Sequence, residues 1–112
     1  MGADSVLTAD DPALKQMISR FAEAYQPERI YLFGSVARGD AGPDSDYDLL
    51  LVMPDDAAPE RLRSRAAYRV SRDLAVARDV LVMTSREFAR QLRLRASLAS
   101  SVSREGRLLY ER

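Results

Sequence analysis

The sequence contains no cysteine and no histidine. Without cysteine it has no disulfide and no thiolate metal site. Without histidine it has no imidazole base, no imidazole ligand and no Ser-His-Asp triad. Any chemistry must rest on carboxylates, hydroxyls, arginine, the single lysine Lys15, and a metal that carboxylates could hold. No apolar run approaches the length of a membrane span. Residues 1–11, MGADSVLTADD, lack the basic and hydrophobic regions of a secretory signal. These absences predict a cytoplasmic chain with no membrane contact.

What is present is ordinary in amount and uneven in distribution. The 112 residues, 46% of them hydrophobic, suit one domain with one core. The formal net charge is zero, yet residues 1–60 carry a net −8 and residues 61–110 a net +8. The basic half reads either as a surface that steers a charged partner or as arginine-rich, solvated helix faces. No aromatic stacking platform or nucleic-acid motif accompanies the arginines, so nucleic acid is not expected as a direct ligand.

Periodicity divides the chain into alternating elements. Residues 1–10 read as a flexible arm and 11–112 as a single domain. Asp11-Pro12 opens a helix, with an acidic N-cap and proline in the first turn. Leu14, Met17, Ile18, Phe21, Ala22 and Tyr25 then form one apolar face, and Pro27 stops the helix. Strands are expected at about 29–34 and 46–53, with a short helix at 35–39 between them. Pro59 opens a long helix to about residue 75, with Leu62, Ala66, Val70 and Leu74 as its inner stripe. A third strand covers 79–83. Thr84-Ser85 caps a helix that turns Phe88 and Leu92 inward. A last helix spans 96–105, with its serines on the surface, Gly106 stops it, and 107–110 add an edge strand. The order α-β-α-β-α-β-α predicts an α+β fold, a mixed β-sheet covered by helices.

Residues 30–53, IYLFGSVARGDAGPDSDYDLLLVM, organise the rest. Two apolar runs flank a Gly-Ser turn and a glycine- and proline-containing loop. Side chains two apart on a strand share a face, so Asp46 and Asp48 project together, with Tyr47 on the opposite face. Paired carboxylates repel unless a cation lies between them, and a hard divalent ion such as Mg2+ prefers such oxygen ligands together with phosphate oxygens. Gly34 permits close backbone approach, and a helix opening at Ser35 would present free N–H groups to an anion. A phosphate cradle twelve residues before an acidic pair suits a nucleoside triphosphate with Mg2+. Arg38 could touch a phosphate or pair with Asp40 or Asp44.

Two-metal phosphoryl chemistry commonly uses a third carboxylate. Asp79 is placed for it, at the mouth of the third strand as Asp46 and Asp48 are at the mouth of the second. Asp73 is the rival, although it falls within the long helix and suits a solvated pair with Arg69 or Arg72.

Gly34-Ser35, the ten residues 36–45 and Asp46-Tyr47-Asp48 together resemble the signature of a minimal nucleotidyltransferase of the DNA polymerase β superfamily. LFGSVARGD, SDYDLLLV and the tail VSREGRLLYE resemble that family too, and Asp79 matches its third aspartate. The resemblance implies a small polymerase-β-like fold with Gly34, Ser35 and Arg38 as nucleotide- and phosphate-binding residues. It implies Asp46, Asp48 and Asp79 as catalytic residues and ligands of two Mg2+ ions, with ATP as substrate. Small stand-alone members are antitoxins paired with HEPN-type toxins. The resemblance therefore implies adenylyl transfer to a tyrosine hydroxyl of such a toxin. The alternatives are an antitoxin that neutralises by binding alone, or nucleotidyl transfer to a small molecule. No segment remains for an acceptor domain, so a partner or a second copy is expected to complete the site, as a homo- or hetero-oligomer.

Overall fold

Strand β2, Tyr47–Met53, has five consecutive buried residues at its C-terminal end, so both of its faces are covered. An unbroken apolar run is what an interior strand with helices on either side requires. The computed structural model of the protein describes residues 12–34, 47–63, 69 and 78–112. Among these, helix α1 (Pro12–Tyr25) leads to β1 (Arg29–Phe33) and then β2, and a single 3-10 turn follows at Pro59–Leu62. Strand β3 (Arg78–Thr84), helices α2 (Ser85–Leu92) and α3 (Leu98–Glu105), and β4 (Arg107–Glu111) complete the described order.

The sheet order is β3-β2-β1-β4. β2 runs parallel to β3 and antiparallel to β1, which also pairs antiparallel with β4. The expected mixed sheet is therefore present, with the last strand at an edge.

Alternation along β2 divides the core in two. Leu49, Leu51 and Met53 join Ile30, Leu32, Val80 and Leu109 under the apolar face of α1, where Leu14, Met17, Ile18, Phe21 and Tyr25 are buried. Leu50 and Val52 face Phe88, Ala99 and Val102 of α2 and α3. Tyr47 packs against the α1 side, as its parity predicts. On the other side the Phe88 ring stacks on Tyr31 at 5.4 Å, with the Arg29 guanidinium 5.0 Å from the Phe88 ring centre.

The chain leaves α1 through Gln26, whose φ of 53° is left-handed and whose N–H reaches Ala22 O at 3.1 Å. Pro27 therefore follows a helix already ended. Thr84 caps α2 as expected, accepting from Glu87 N at 3.1 Å. Gly106 ends α3 in extended backbone, its N–H donating to Val102 O at 2.8 Å.

Four expectations need correction. The helix from Pro59 does not run on from its first turn: Arg63 is extended, at φ −100° and ψ 132°. Arg69 is helical, and the rest of that stretch lies outside the described residues. Leu92 is 42% exposed rather than inward. It sits on the last turn of α2, where Gln91 takes the inner position, donating to Glu87 at 2.9 Å and accepting from Ala99 N at 3.2 Å. The final helix starts two residues late because Ser97 is its N-cap, accepting from Ser100 N at 3.1 Å. Nor are its serines all on the surface: Ser100 is buried and accepts from Arg104 at 2.6 Å.

Candidate active site

The end of the sheet where β2 begins brings together residues far apart in sequence. Asp48 is the register partner of Phe33 on β1 and of Asp79 on β3. Partners in a parallel pair project to the same face, so the two carboxylates lie side by side at strand spacing. Asp48 is half-buried and Asp79 exposed. They share the face that farther along carries Leu50 and Val52 under α2 and α3. The helices cover the apolar part of that face, and Asp79 at its acidic end is exposed.

Gly34 closes the site from the β1 side. It is the first residue after the strand, and its φ of +79° turns the backbone across the start of β2. A Cβ built on Gly34 would overlap Oδ2 of Asp48 and lie 3.0 Å from its Cγ. The space freed by the missing side chain is thus filled by the Asp48 carboxylate. The spacing of the motif does not reveal this contact. It requires knowing that β1 and β2 pair antiparallel with Phe33 opposite Asp48, and that pairing was the signal available to find it.

Of the residues singled out in the sequence, the structure brings Gly34, Asp48 and Asp79 together. Ser35, Arg38, Asp46 and the rival Asp73 lie outside the described residues, as does the short helix expected at 35–39. Among the described residues no three acidic side chains are grouped as a metal site. The donor set nonetheless fits a hard divalent cation. Two unit negative charges about 5 Å apart near a protein surface oppose one another by roughly 3 kcal/mol, which a shared cation reverses. The donors are all oxygen, as Mg2+ prefers.

A surface depression of about 450 Å³ lies at the other end of β2, lined by Tyr25, Met53, Asp56, Glu60, Arg61 and Arg112 among others. Asp56 and Glu60 there are exposed residues of a turn and a 3-10 turn, not register partners. The chemistry favours the Asp48–Asp79 end.

Residues 14–109 match the family described as Nucleotidyltransferase domain. Among solved structures, a Sulfolobus solfataricus protein assigned as a nucleotidyltransferase is 26% identical. That match covers 89% of this chain and 78% of the other, with a TM-score of 0.59. A structure described as a toxin-antitoxin with AMP-PNP is 24% identical, covers 88% of this chain and 73% of the other, and has the same TM-score of 0.59. It shares the fold. A search of curated protein sequences finds no match. The family match takes in both apolar strands, the Gly34 turn and the in-register aspartates, and the chain belongs to the nucleotidyltransferase domain family of the DNA polymerase β superfamily.

Proposed function

We propose that the protein transfers AMP from ATP to a hydroxyl group of a partner protein and acts as the antitoxin of a toxin–antitoxin pair. The observation that carries this is the in-register pair Asp48–Asp79 beside the Gly34 turn, in a chain of the nucleotidyltransferase family. The partner class is supported by the toxin-antitoxin neighbour, and the nucleotide by the AMP-PNP in that structure, AMP-PNP being an ATP analogue. The resemblance in the sequence gives the finer reading: a HEPN-type toxin with a tyrosine as acceptor.

In this reading, Gly34-Ser35 and the backbone that follows hold the triphosphate. Asp46, Asp48 and Asp79 would hold the divalent ions, which would supply positive charge against that developing on the phosphoryl oxygens. Asp79, exposed at the rim, accepts the proton of the acceptor hydroxyl. The hydroxyl oxygen bonds to the α-phosphorus as the bond from that phosphorus to the β-bridging oxygen breaks, and pyrophosphate leaves. The chain's work is positioning: two carboxylates fixed by strand register need little rearrangement before reaction.

The test is to incubate the protein with ATP labelled at the α-phosphate, Mg2+ and the protein encoded beside it. Label on that partner, absent with Asp48→Asn, supports the transferase. A stable complex without label supports a second reading, neutralisation by binding. One observation favours that alternative: Leu92, at the end of α2, and Leu94, in the turn after it, are 42% and 52% exposed, and the turn is held by hydrogen bonds. Leu94 N donates to Gln91 O at 2.8 Å, and Ser97 Oγ donates to the same oxygen at 2.6 Å. An ordered turn that presents exposed leucines loses little entropy on docking.

A further inference from the structure

We infer that Gly34 is also a positioning residue for Asp48, one that aims the carboxylate by leaving it room. This rests on the reading of Asp48 as a metal-holding carboxylate given above. Two properties of Gly34 act together. Its φ of +79° lies where L side chains are rarely found, and this turn carries the backbone over Asp48. The position where a Cβ would sit then coincides with Oδ2 of Asp48, with Asp48 Cβ itself 3.4 Å away.

The register neighbours of Asp48 are Phe33 on one side and Asp79 on the other. Leu50, next on the same face of β2, is fully buried in the core beneath α2 and α3. A methyl group at position 34 therefore forces the carboxylate into a different rotamer and changes how it stands beside Asp79. The glycine controls the separation and direction of the two oxygen donors from outside the donor set. Supporting residues of this kind commonly alter metal affinity by roughly ten- to a hundredfold.

The experiment separates backbone strain from the contact with Asp48, using the full chain made by chemical synthesis with Gly34→Asn and Gly34→D-Ala. Asparagine tolerates left-handed backbone but carries the offending Cβ. A D-alanine suits positive φ and carries its methyl on the opposite side of Cα from the position that meets Asp48. Two readouts are taken: Mn2+ affinity by electron paramagnetic resonance, and the 13Cγ resonance of Asp48 without metal. The expected result is a thermal midpoint for Gly34→Asn close to that of the unsubstituted chain, a shifted Asp48 resonance, and Mn2+ affinity lower by roughly tenfold or more. Gly34→D-Ala should match the unsubstituted protein in both readouts. An unmoved Asp48 resonance in Gly34→Asn, or a resonance shifted equally by D-alanine, overturns the inference. If the unsubstituted chain fails to bind Mn2+, the metal reading of the proposed function falls, while the Asp48 resonance still decides whether Gly34 positions it.

Discussion

Asp48 and Asp79 are register partners across the parallel pair β2–β3, with Phe33 opposite Asp48 on the other side. The two carboxylates are neighbours through backbone pairing alone, before any ligand arrives. A divalent cation that binds the folded pair and not the unfolded chain must therefore raise stability. At one hundred times its dissociation constant, Mg2+ adds about 2.7 kcal/mol. In a domain of this size that is roughly 10 °C in the unfolding midpoint. Differential scanning calorimetry should show this rise in the unsubstituted protein and little or none in Asp48→Asn or Asp79→Asn. An equal rise in all three would place the cation elsewhere.

Phe88 and Leu92 lie one helical turn apart on α2 but differ in exposure: 2% for Phe88 and 42% for Leu92. Phe88 stacks on Tyr31 and closes the second core cluster over Leu50 and Val52. Phe88→Ala should cost about 3–5 kcal/mol, by loss of transfer energy and by the cavity left behind. Leu92→Ala should stay within about 0.5 kcal/mol of the unsubstituted chain. Urea unfolding measures both, and comparable losses would mean that Leu92 is packed inward after all.

The same pair shows how far the sequence could be read. The strands were legible because their apolar runs are short and bounded by turn residues, and the apolar face of α1 because five of its six expected positions are buried, with Ala22 partly so. The Asp48–Asp79 neighbourhood was legible as a conditional: the carboxylates converge if the strands pair, and they do pair. Leu92 was not legible, since four-residue spacing from Phe88 says nothing of where a helix outruns the sheet beneath it. The end of α2 is decided by Gln91, a polar side chain taking an inner position by bonding to α3, and apolar periodicity cannot see that. Arg63 failed in the same way, because proline at a helix start is equally at home in a single 3-10 turn. The tight fit of Gly34 against Asp48 is a tertiary contact between two strands and has no local sign.

Glu87 gives a pH dependence with a defined sign. Hydrogen bonds from Arg90, and secondly from Gln91, lower its pKa from 4.5 to about 2. The Arg90 contacts are 2.6 and 3.0 Å long, on an exposed surface. A carboxyl whose pKa is depressed by folding contributes stability that is complete above its unfolded pKa and is lost as pH falls through the folded one. The contribution should therefore disappear between about pH 4.5 and 2. NMR titration should place the Glu87 midpoint near 2 in the unsubstituted chain and return it toward 4.5 in Arg90→Met. Because the pair is exposed, the difference should shrink in high salt. A midpoint that Arg90→Met leaves near 2 would assign the shift to another partner.

Tyr25 presents the opposite case, a buried polar atom without a partner among the described residues. The side chain is 3% exposed, and its hydroxyl has no hydrogen-bond partner among the described residues. A buried hydroxyl without a partner loses its hydration and recovers nothing. Tyr25→Phe keeps the edge-to-face contact with Phe21, at 6.0 Å and 85°, and removes the oxygen. It should raise stability at neutral pH by about 1 kcal/mol in urea unfolding. Burial also raises the Tyr25 pKa above 10.0, against the opposing charges of Arg69 and Arg61. The neutral phenol is thus the form that the fold favours. Its contribution is complete below the unfolded value and is lost as pH rises through the raised one. The unsubstituted protein should weaken on the alkaline side of pH 10, and Tyr25→Phe should lack that part of the decline. A phenylalanine variant less stable at neutral pH would show that the hydroxyl is satisfied by an ordered water, whose bonds outweigh the gain from removing it.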